Sequence, residues 1–176
     1  MFSLDPETGN RNWAVEDAFS MRTVSSPLLA GGLVYGSTGS GAGGNYLVGI
    51  RPGKNAEVVV KVDRQAPYVP TSVARGNLLF LWYDKGIATC IDARDGSIHW
   101  RERLDTAFSG SPIRVGEKMF CMDEAGVVWV LAAEKQFKVL GKYPLGEERR
   151  STPAVSGGQM FLRTYSHLFA VGAKSL

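Results

Sequence analysis

Ser3-Leu4-Asp5-Pro6-Glu7-Thr8-Gly9-Asn10-Arg11-Asn12-Trp13 and Cys90-Ile91-Asp92-Ala93-Arg94-Asp95-Gly96-Ser97-Ile98-His99-Trp100 follow one pattern. Each runs from a small residue through an apolar one to Asp, then through turn residues around Gly to Trp. The two tryptophans, Trp13 and Trp100, stand 87 positions apart. Self-similarity at long period is the mark of a repeat architecture.

A second landmark fixes the unit. Ser26-Pro27-Leu28-Leu29-Ala30-Gly31-Gly32 recurs as Ser111-Pro112-Ile113-Arg114-Val115-Gly116-Glu117 and as Thr152-Pro153-Ala154-Val155-Ser156-Gly157-Gly158, with a weaker copy at Thr71-Ser72-Val73-Ala74-Arg75-Gly76-Asn77. The equivalent positions 27, 72, 112 and 153 are 45, 40 and 41 residues apart. A unit of roughly 40–45 residues is that of a four-stranded propeller blade. The Trp copies then lie two units apart.

Inside a unit the pattern is that of strands. Residues 27–30, 33–38, 46–50 and 57–62 are short, apolar or β-branched, and separated by Gly, Pro, Asn and Lys. No window sustains apolar spacing at i, i+3, i+4 and i+7, so no helix is predicted. The Gly31-Gly32 and Gly157-Gly158 pairs suit two-residue hairpins that need positive φ. With strands lettered A (inner) to D (outer), the chain reads as one partial domain over residues 1–176. An incomplete first blade covers 1–16. Blades follow at about 26–63, 70–104 and 110–143, and an incomplete last blade covers 151–172. The expectation is an all-β, partial ring of about four four-stranded antiparallel blades.

The motif has a physical reading. Asp5 and Asp92 accept nearby backbone N–H bonds and close the C-to-D turn. Gly9 and Gly96 supply its left-handed backbone position. Trp13 and Trp100 bury their indoles between neighbouring blades, where aromatic burial dominates. These residues resemble the tryptophan-docking repeat of pyrroloquinoline quinone (PQQ)-like propellers. That family includes quinoprotein alcohol dehydrogenases and a non-catalytic lipoprotein that helps assemble outer-membrane β-barrels. Units equivalent to the motif at Gly49–Gly53 and Val130–Glu134 lack its Asp and Trp. The resemblance implies a propeller of bacterial origin, a parent protein that is exported or periplasmic, and a chain forming the C-terminal part of a larger ring. Met1-Phe2-Ser3 enters a strand directly, and no signal peptide is expected in this chain.

Catalytic chemistry finds little support. A quinoprotein reading implies PQQ with calcium over the channel and a disulfide between adjacent cysteines. Here Cys90 and Cys121 are well separated and read as small core residues. No Asp/Asn/Glu cluster has calcium-loop spacing. The GxGxxG at 39–44 is followed by a strand rather than a helix, so it reads as a loop. His99 and His167 have no partner at metal-ligand spacing. Asp123-Glu124 and Glu147-Glu148 read as solvated loop charge, and no GxSxG or Walker motif occurs. No cofactor is expected, and PQQ with calcium is the alternative.

A net charge of +3 without a basic run interleaved with aromatics argues against nucleic acid. No apolar run is long enough for a membrane span. The expected function is therefore a non-enzymatic scaffold or protein-interaction module; part of a quinoprotein-like oxidoreductase and a sugar-recognising propeller are the alternatives. Binding is assigned to the D–A and B–C loops, which share one face of an antiparallel blade array. Phe19, Arg22, Arg64 and Tyr68 are candidate contacts there, with Phe108, Arg149 and Arg150, because exposed aromatics and Arg make hot spots. An open arc leaves unpaired edges, from which a head-to-tail homodimer completing the ring is expected. In it Gly9–Val15 of the other copy supplies the missing outer strand.

Overall fold

The computed structural model describes residues 1–40, 42 and 44–172. Gly41 and Gly43 of the glycine loop, and Ala173–Leu176 at the end of the last unit, lie outside the described residues. The described residues form five antiparallel sheets and no α-helix, with one 3-10 turn at Glu16–Ala18.

The first sheet pairs β1 (Phe2–Leu4) with β2 (Arg11–Ala14). The second orders β3 (Leu28–Ala30), β4 (Leu33–Thr38), β5 (Tyr46–Arg51) and β6 (Glu57–Asp63). The third holds β7 (Val73–Arg75), β8 (Leu78–Tyr83), β9 (Ile87–Asp92) and β10 (Ile98–Arg103). The fourth holds β11 (Ile113–Val115), β12 (Lys118–Met122), β13 (Val127–Ala132) and β14 (Val139–Pro144). The fifth has β15 (Ala154–Ser156), β16 (Gln159–Arg163) and β17 (Leu168–Gly172). Every neighbouring pair is a hairpin, so each sheet is a meander, and the arc is open.

Alternation along the strands produces the stacking. On β8, Leu79 and Leu81 join Tyr35, Leu47 and Ile91 in a core between the second and third sheets. Phe80 and Trp82 point the other way, into a core with Met119, Cys121 and Trp129 of the fourth. Met122, Val128 and Val130 then meet Leu162 of the fifth. A period of two with both faces apolar is what a strand sandwiched between sheets requires.

The C-to-D turns follow the motif. Asp5 Oδ1 accepts from the Glu7 and Thr8 amides at 3.0 and 2.8 Å, and Asp92 Oδ1 from the Arg94 amide at 3.0 Å. Both turns close with the Gly amide on the Asp carbonyl at 2.9 Å. Gly9 and Gly96 have φ of +70° and +78°. Trp13 lies opposite Ser3 and Trp100 opposite Cys90. The Trp100 indole is buried against the fourth sheet, and Trp13 is half-buried against Val48 and Ile50 of the second.

A ladder of hydroxyls links successive A strands. The Ser26 amide donates to Thr71 Oγ1 (3.0 Å), the Thr71 amide to Ser111 Oγ (2.9 Å), and the Ser111 amide to Thr152 Oγ1 (2.9 Å). These residues are the Ser/Thr positions of the repeated landmark, so the periodic sequence feature is also the periodic inter-sheet bond.

Two candidate contacts are corrected here. Phe108 is only 1% exposed, set edge-on to Trp82 and Trp129 with centroids 6.2 and 6.5 Å away. Arg149 is 4% exposed and locked into backbone carbonyls. Both stand four residues before their unit's Pro, where the D–A loop folds inward over the seam between sheets. Neither is a surface residue.

Candidate interaction surface

The D–A loops and B–C turns are bonded to one another, which fixes their shared face. The turn at Asp84 receives the Tyr68 and Val69 amides on its carboxylate, at 2.7 and 3.0 Å, and the Phe108 amide on its carbonyl, at 2.9 Å. One turn along, the Glu124 amide donates to the Ala107 carbonyl (2.8 Å) and the Arg149 amide to the Glu124 carbonyl (3.1 Å). The fifth sheet repeats the inward half: the Tyr165 amide donates to the Glu148 carbonyl at 3.0 Å. The B–C turns of the third and fourth sheets are thus each held by the loops entering and leaving the sheet, and that of the fifth by the entering loop.

Glycine permits these crossings. A Cβ at Gly86 would come within 1.9 Å of the Thr106 carbonyl oxygen, and one at Gly126 within 1.8 Å of the Glu147 carbonyl oxygen. Both residues also have positive φ, +80° and +83°. The loops therefore lie directly on the turns.

Where the fourth and fifth sheets meet, this face opens into a cleft of about 940 Å³. Its walls are the turn at Glu124-Ala125, the loop Glu148–Ser151 and the turn Arg163–Tyr165. Tyr165 is 88% exposed, and Arg150, Arg163 and Glu148 are exposed beside it. The Arg149 guanidinium lies beneath, with Nε on the Asp123 carbonyl (2.7 Å) and Nη1 on the Ser151 carbonyl (2.6 Å). Burial lowers its pKa, and its Nη2 is buried without a hydrogen-bond partner. On the rim, Glu147 accepts from Thr164 Oγ1 (2.8 Å), the Ser166 amide (3.0 Å) and Ser166 Oγ (2.6 Å), and its Oε1 is 2.9 Å from His167 Nδ1. These bonds favour the ionised carboxylate, Ser166 Oγ foremost, and hold its pKa down to about 2.

The remaining candidates divide by position. Arg22 and Tyr68 come together, with the guanidinium 5.8 Å from the ring centroid. Phe19 is half-buried against Val48 and Ile50, and a Cβ at Gly36 would meet its ring at 2.8 Å. Arg64 is exposed on a loop position with φ of +80°. Arg150 alone reaches the cleft. Tyr165 and Arg163 were not among the candidates. The visible signal for Tyr165 is a bulky aromatic in a B–C turn where the preceding units have Asp84 and Glu124.

Among the described residues no three His, Cys, Asp or Glu side chains converge as a metal site. Cys90 and Cys121 are free, buried thiols on β9 and β12, with burial raising both pKa values, that of Cys90 to about 12. No helix of the described residues is long and apolar enough to cross a membrane.

A family model described as outer membrane protein assembly factor BamB matches residues 69–175. Comparison with curated proteins by sequence gave no match. Among solved structures, BamB from Moraxella catarrhalis superposes with a TM-score of 0.74 at 16% identity, covering 97% of this chain and 51% of that one. Quinohemoprotein alcohol dehydrogenase ADHIIG from Pseudomonas putida superposes at 0.64 and 14% identity, over 81% of this chain and 28% of that one. A europium-containing methanol dehydrogenase gives 0.56 at 14% identity, over 69% and 25%. The chain spans about half the length of the BamB structure and less of the two dehydrogenases. These likenesses establish the PQQ-like propeller fold.

Proposed function

The chain belongs to the outer membrane protein assembly factor BamB family, and from that membership we propose that it is a non-enzymatic propeller module that binds protein partners. The contact surface is the face of B–C turns and D–A loops, centred on the cleft between the fourth and fifth sheets. The observation that carries this reading is the cleft itself: an exposed Tyr165 flanked by Arg150 and Arg163, on loops held rigid by glycine-permitted crossings. Tyr and Arg are the side chains that dominate protein–protein hot spots, and loops anchored on a sheet scaffold are where binding residues concentrate. The partner class is a component of outer-membrane protein assembly, by analogy with the family.

A photo-crosslinking residue at position 150 or 165, in cells of the source organism, tests this. One discrete protein adduct is expected from both positions and none from Asn77, which lies in an A–B turn. Adducts equally strong from Asn77, or none from the cleft, would overturn the assignment. Saturable binding of PQQ with calcium, accompanied by dye reduction, would replace it with an oxidoreductase.

The open arc also leads us to read the functional unit as two copies joined head to tail under a two-fold axis. Light scattering that finds only monomer at every concentration tested counts against that assembly.

A further inference from the structure

The two guanidiniums that open onto the cleft, those of Arg150 and Arg163, stand on chain segments bonded to each other on either side of them. Ser151 Oγ donates to the Arg163 carbonyl at 2.7 Å, and the Tyr165 amide to the Glu148 carbonyl at 3.0 Å. From below, Arg149 Nη1 holds the Ser151 carbonyl and Nε the Asp123 carbonyl. A Cβ at Gly110 would come within 2.4 Å of Arg149 Nη1 and 2.2 Å of the Ser151 carbonyl oxygen, so this base is close-packed. Arg150 and Arg163 are thereby carried on a fixed support before any partner arrives, and a preorganised surface gives up less freedom on binding.

Hydrogen-bonding capacity in the cleft is one-sided. Among the described residues, neither the Arg150 nor the Arg163 side chain makes a hydrogen bond or ion pair. The acids around them are engaged. Glu124 accepts from Ser109 Oγ, and Glu147 from Thr164 and Ser166 with His167 beside it. Asp123 accepts from the Val127 amide at 2.8 Å and Trp129 Nε1 at 2.9 Å. Asp123 and Glu124 also lie near enough to Arg149 to act on its charge, which leaves the two outward arginines as the uncompensated groups. A guanidinium only donates, and its planar fork matches a carboxylate.

We propose that the cleft takes a short acidic segment of a partner protein, its Asp or Glu carboxylates forked by Arg150 and Arg163 and its chain laid against the Tyr165 ring. This rests on the partner-binding reading above and names the chemistry of the contact. Glu148, exposed on the same wall with a free carboxylate, decides against a continuous polyanion such as a nucleic-acid strand or an anionic lipid surface. A peptide can set carboxylates against the arginines and a neutral or basic residue against Glu148. The volume of about 940 Å³ is near the top of the range for ligand pockets, roughly 300–1,000 Å³, and gives room for several side chains.

The probe is fluorescein-labelled hexaglutamate, followed by anisotropy with the full chain. Saturable binding is expected, weakened about tenfold by Arg150→Ala or by Arg163→Ala, as loss of a forked Arg contact does. Hexalysine should not bind. Lys85→Ala should leave hexaglutamate binding unchanged, because Lys85 is an exposed cation on the B–C turn of the third sheet, on the same face but outside the cleft. An equal loss from Lys85→Ala would mean diffuse attraction to the whole face and would overturn the site. In cells, Arg163→Glu should abolish the photo-crosslinked adduct from position 165. Failure of hexaglutamate to bind, or an adduct that survives Arg163→Glu, overturns the acidic class and leaves the protein-binding reading standing. Absence of adducts from the otherwise unaltered cleft overturns both.

Discussion

The indole Nε1 of Trp100 donates to the main-chain carbonyl of Glu134 at 3.0 Å, joining the outer strand of the third sheet to the turn after β13 in the fourth. The ring is also edge-on to Phe137, with centroids 5.2 Å apart, and tilted against Phe80. One side chain thus carries apolar burial and a directional bond across the same seam. Trp100→Ala should lower unfolding free energy by about 3–5 kcal/mol, the range for removing a buried aromatic. Chemical denaturation of the two variants measures it against Arg150→Ala, which is exposed and should stay within about 0.5 kcal/mol of the parent. Equal losses would mean that the seam does not depend on this indole.

The crossing of loop over turn predicts a graded glycine series. Gly126→Ala brings a Cβ within 1.8 Å of the Glu147 carbonyl oxygen, so the loop must move. Gly9 has a similar φ of +70°, but a Cβ there meets nothing within 4 Å. Gly9→Ala should therefore cost only the left-handed backbone penalty, about 1–2 kcal/mol. Gly126→Ala should cost distinctly more, with weakened partner binding because the cleft wall is displaced. Thermal melts of the two proteins decide it: a Gly126→Ala shift no larger than that of Gly9→Ala would contradict the crossing geometry.

What the sequence made legible is what the period carries. The repeated Ser/Thr-Pro landmark, the Gly hairpins and the Asp–Gly–Trp turns each recur in register, and the strands lie where their alternation places them. Phe108 and Arg149 were not legible as interior residues. Local composition marks them as loop residues, whereas burial depends on the loop crossing a neighbouring sheet. Their common offset, four before Pro112 and Pro153 and matched by half-buried Tyr68 four before Ser72, is the periodic clue to an inward position. The cleft beside Tyr165 was hidden for a related reason: its walls come from turns of two sheets, and no single stretch of chain contains it.

Arg149 bridges the Asp123 and Ser151 carbonyls inside the seam between the fourth and fifth sheets. Arg149→Ala removes both guanidinium bonds; the Asp123 carbonyl keeps the Gly126 amide at 3.0 Å, while the half-buried Ser151 carbonyl loses its donor, a loss of about 1–3 kcal/mol. The neighbouring Arg150→Ala should instead reduce partner crosslinking with little change in stability. Reversal of these two phenotypes would return Arg149 to the binding surface.

The two thiols offer a probe of the seams. Cys90 and Cys121 are fully buried in the core between the third and fourth sheets, with thiol pKa values pushed upward mainly by burial. At pH 8 both are protonated and enclosed, and the thiolate is the reactive form. Iodoacetamide should leave the native protein unlabelled and modify two sites after denaturation, as read by intact mass. Rapid native labelling of either thiol would show that this seam opens.

The Glu147 carboxylate ties the last D–A loop to the last B–C turn, and its pKa of about 2 lies below its ordinary 4.5. Because the folded value is the lower one, ionised Glu147 stabilises the fold at pH above 4.5. That contribution disappears as pH falls from 4.5 towards 2. Glu147→Gln removes the titrating group, so the parent should be the more stable protein at pH 6. The gap between their melting temperatures should narrow as the buffer is taken to pH 3. Fluorescence melts across that range measure it, and a gap that stays constant with pH would exclude Glu147 as the acid-sensitive tie of the cleft rim.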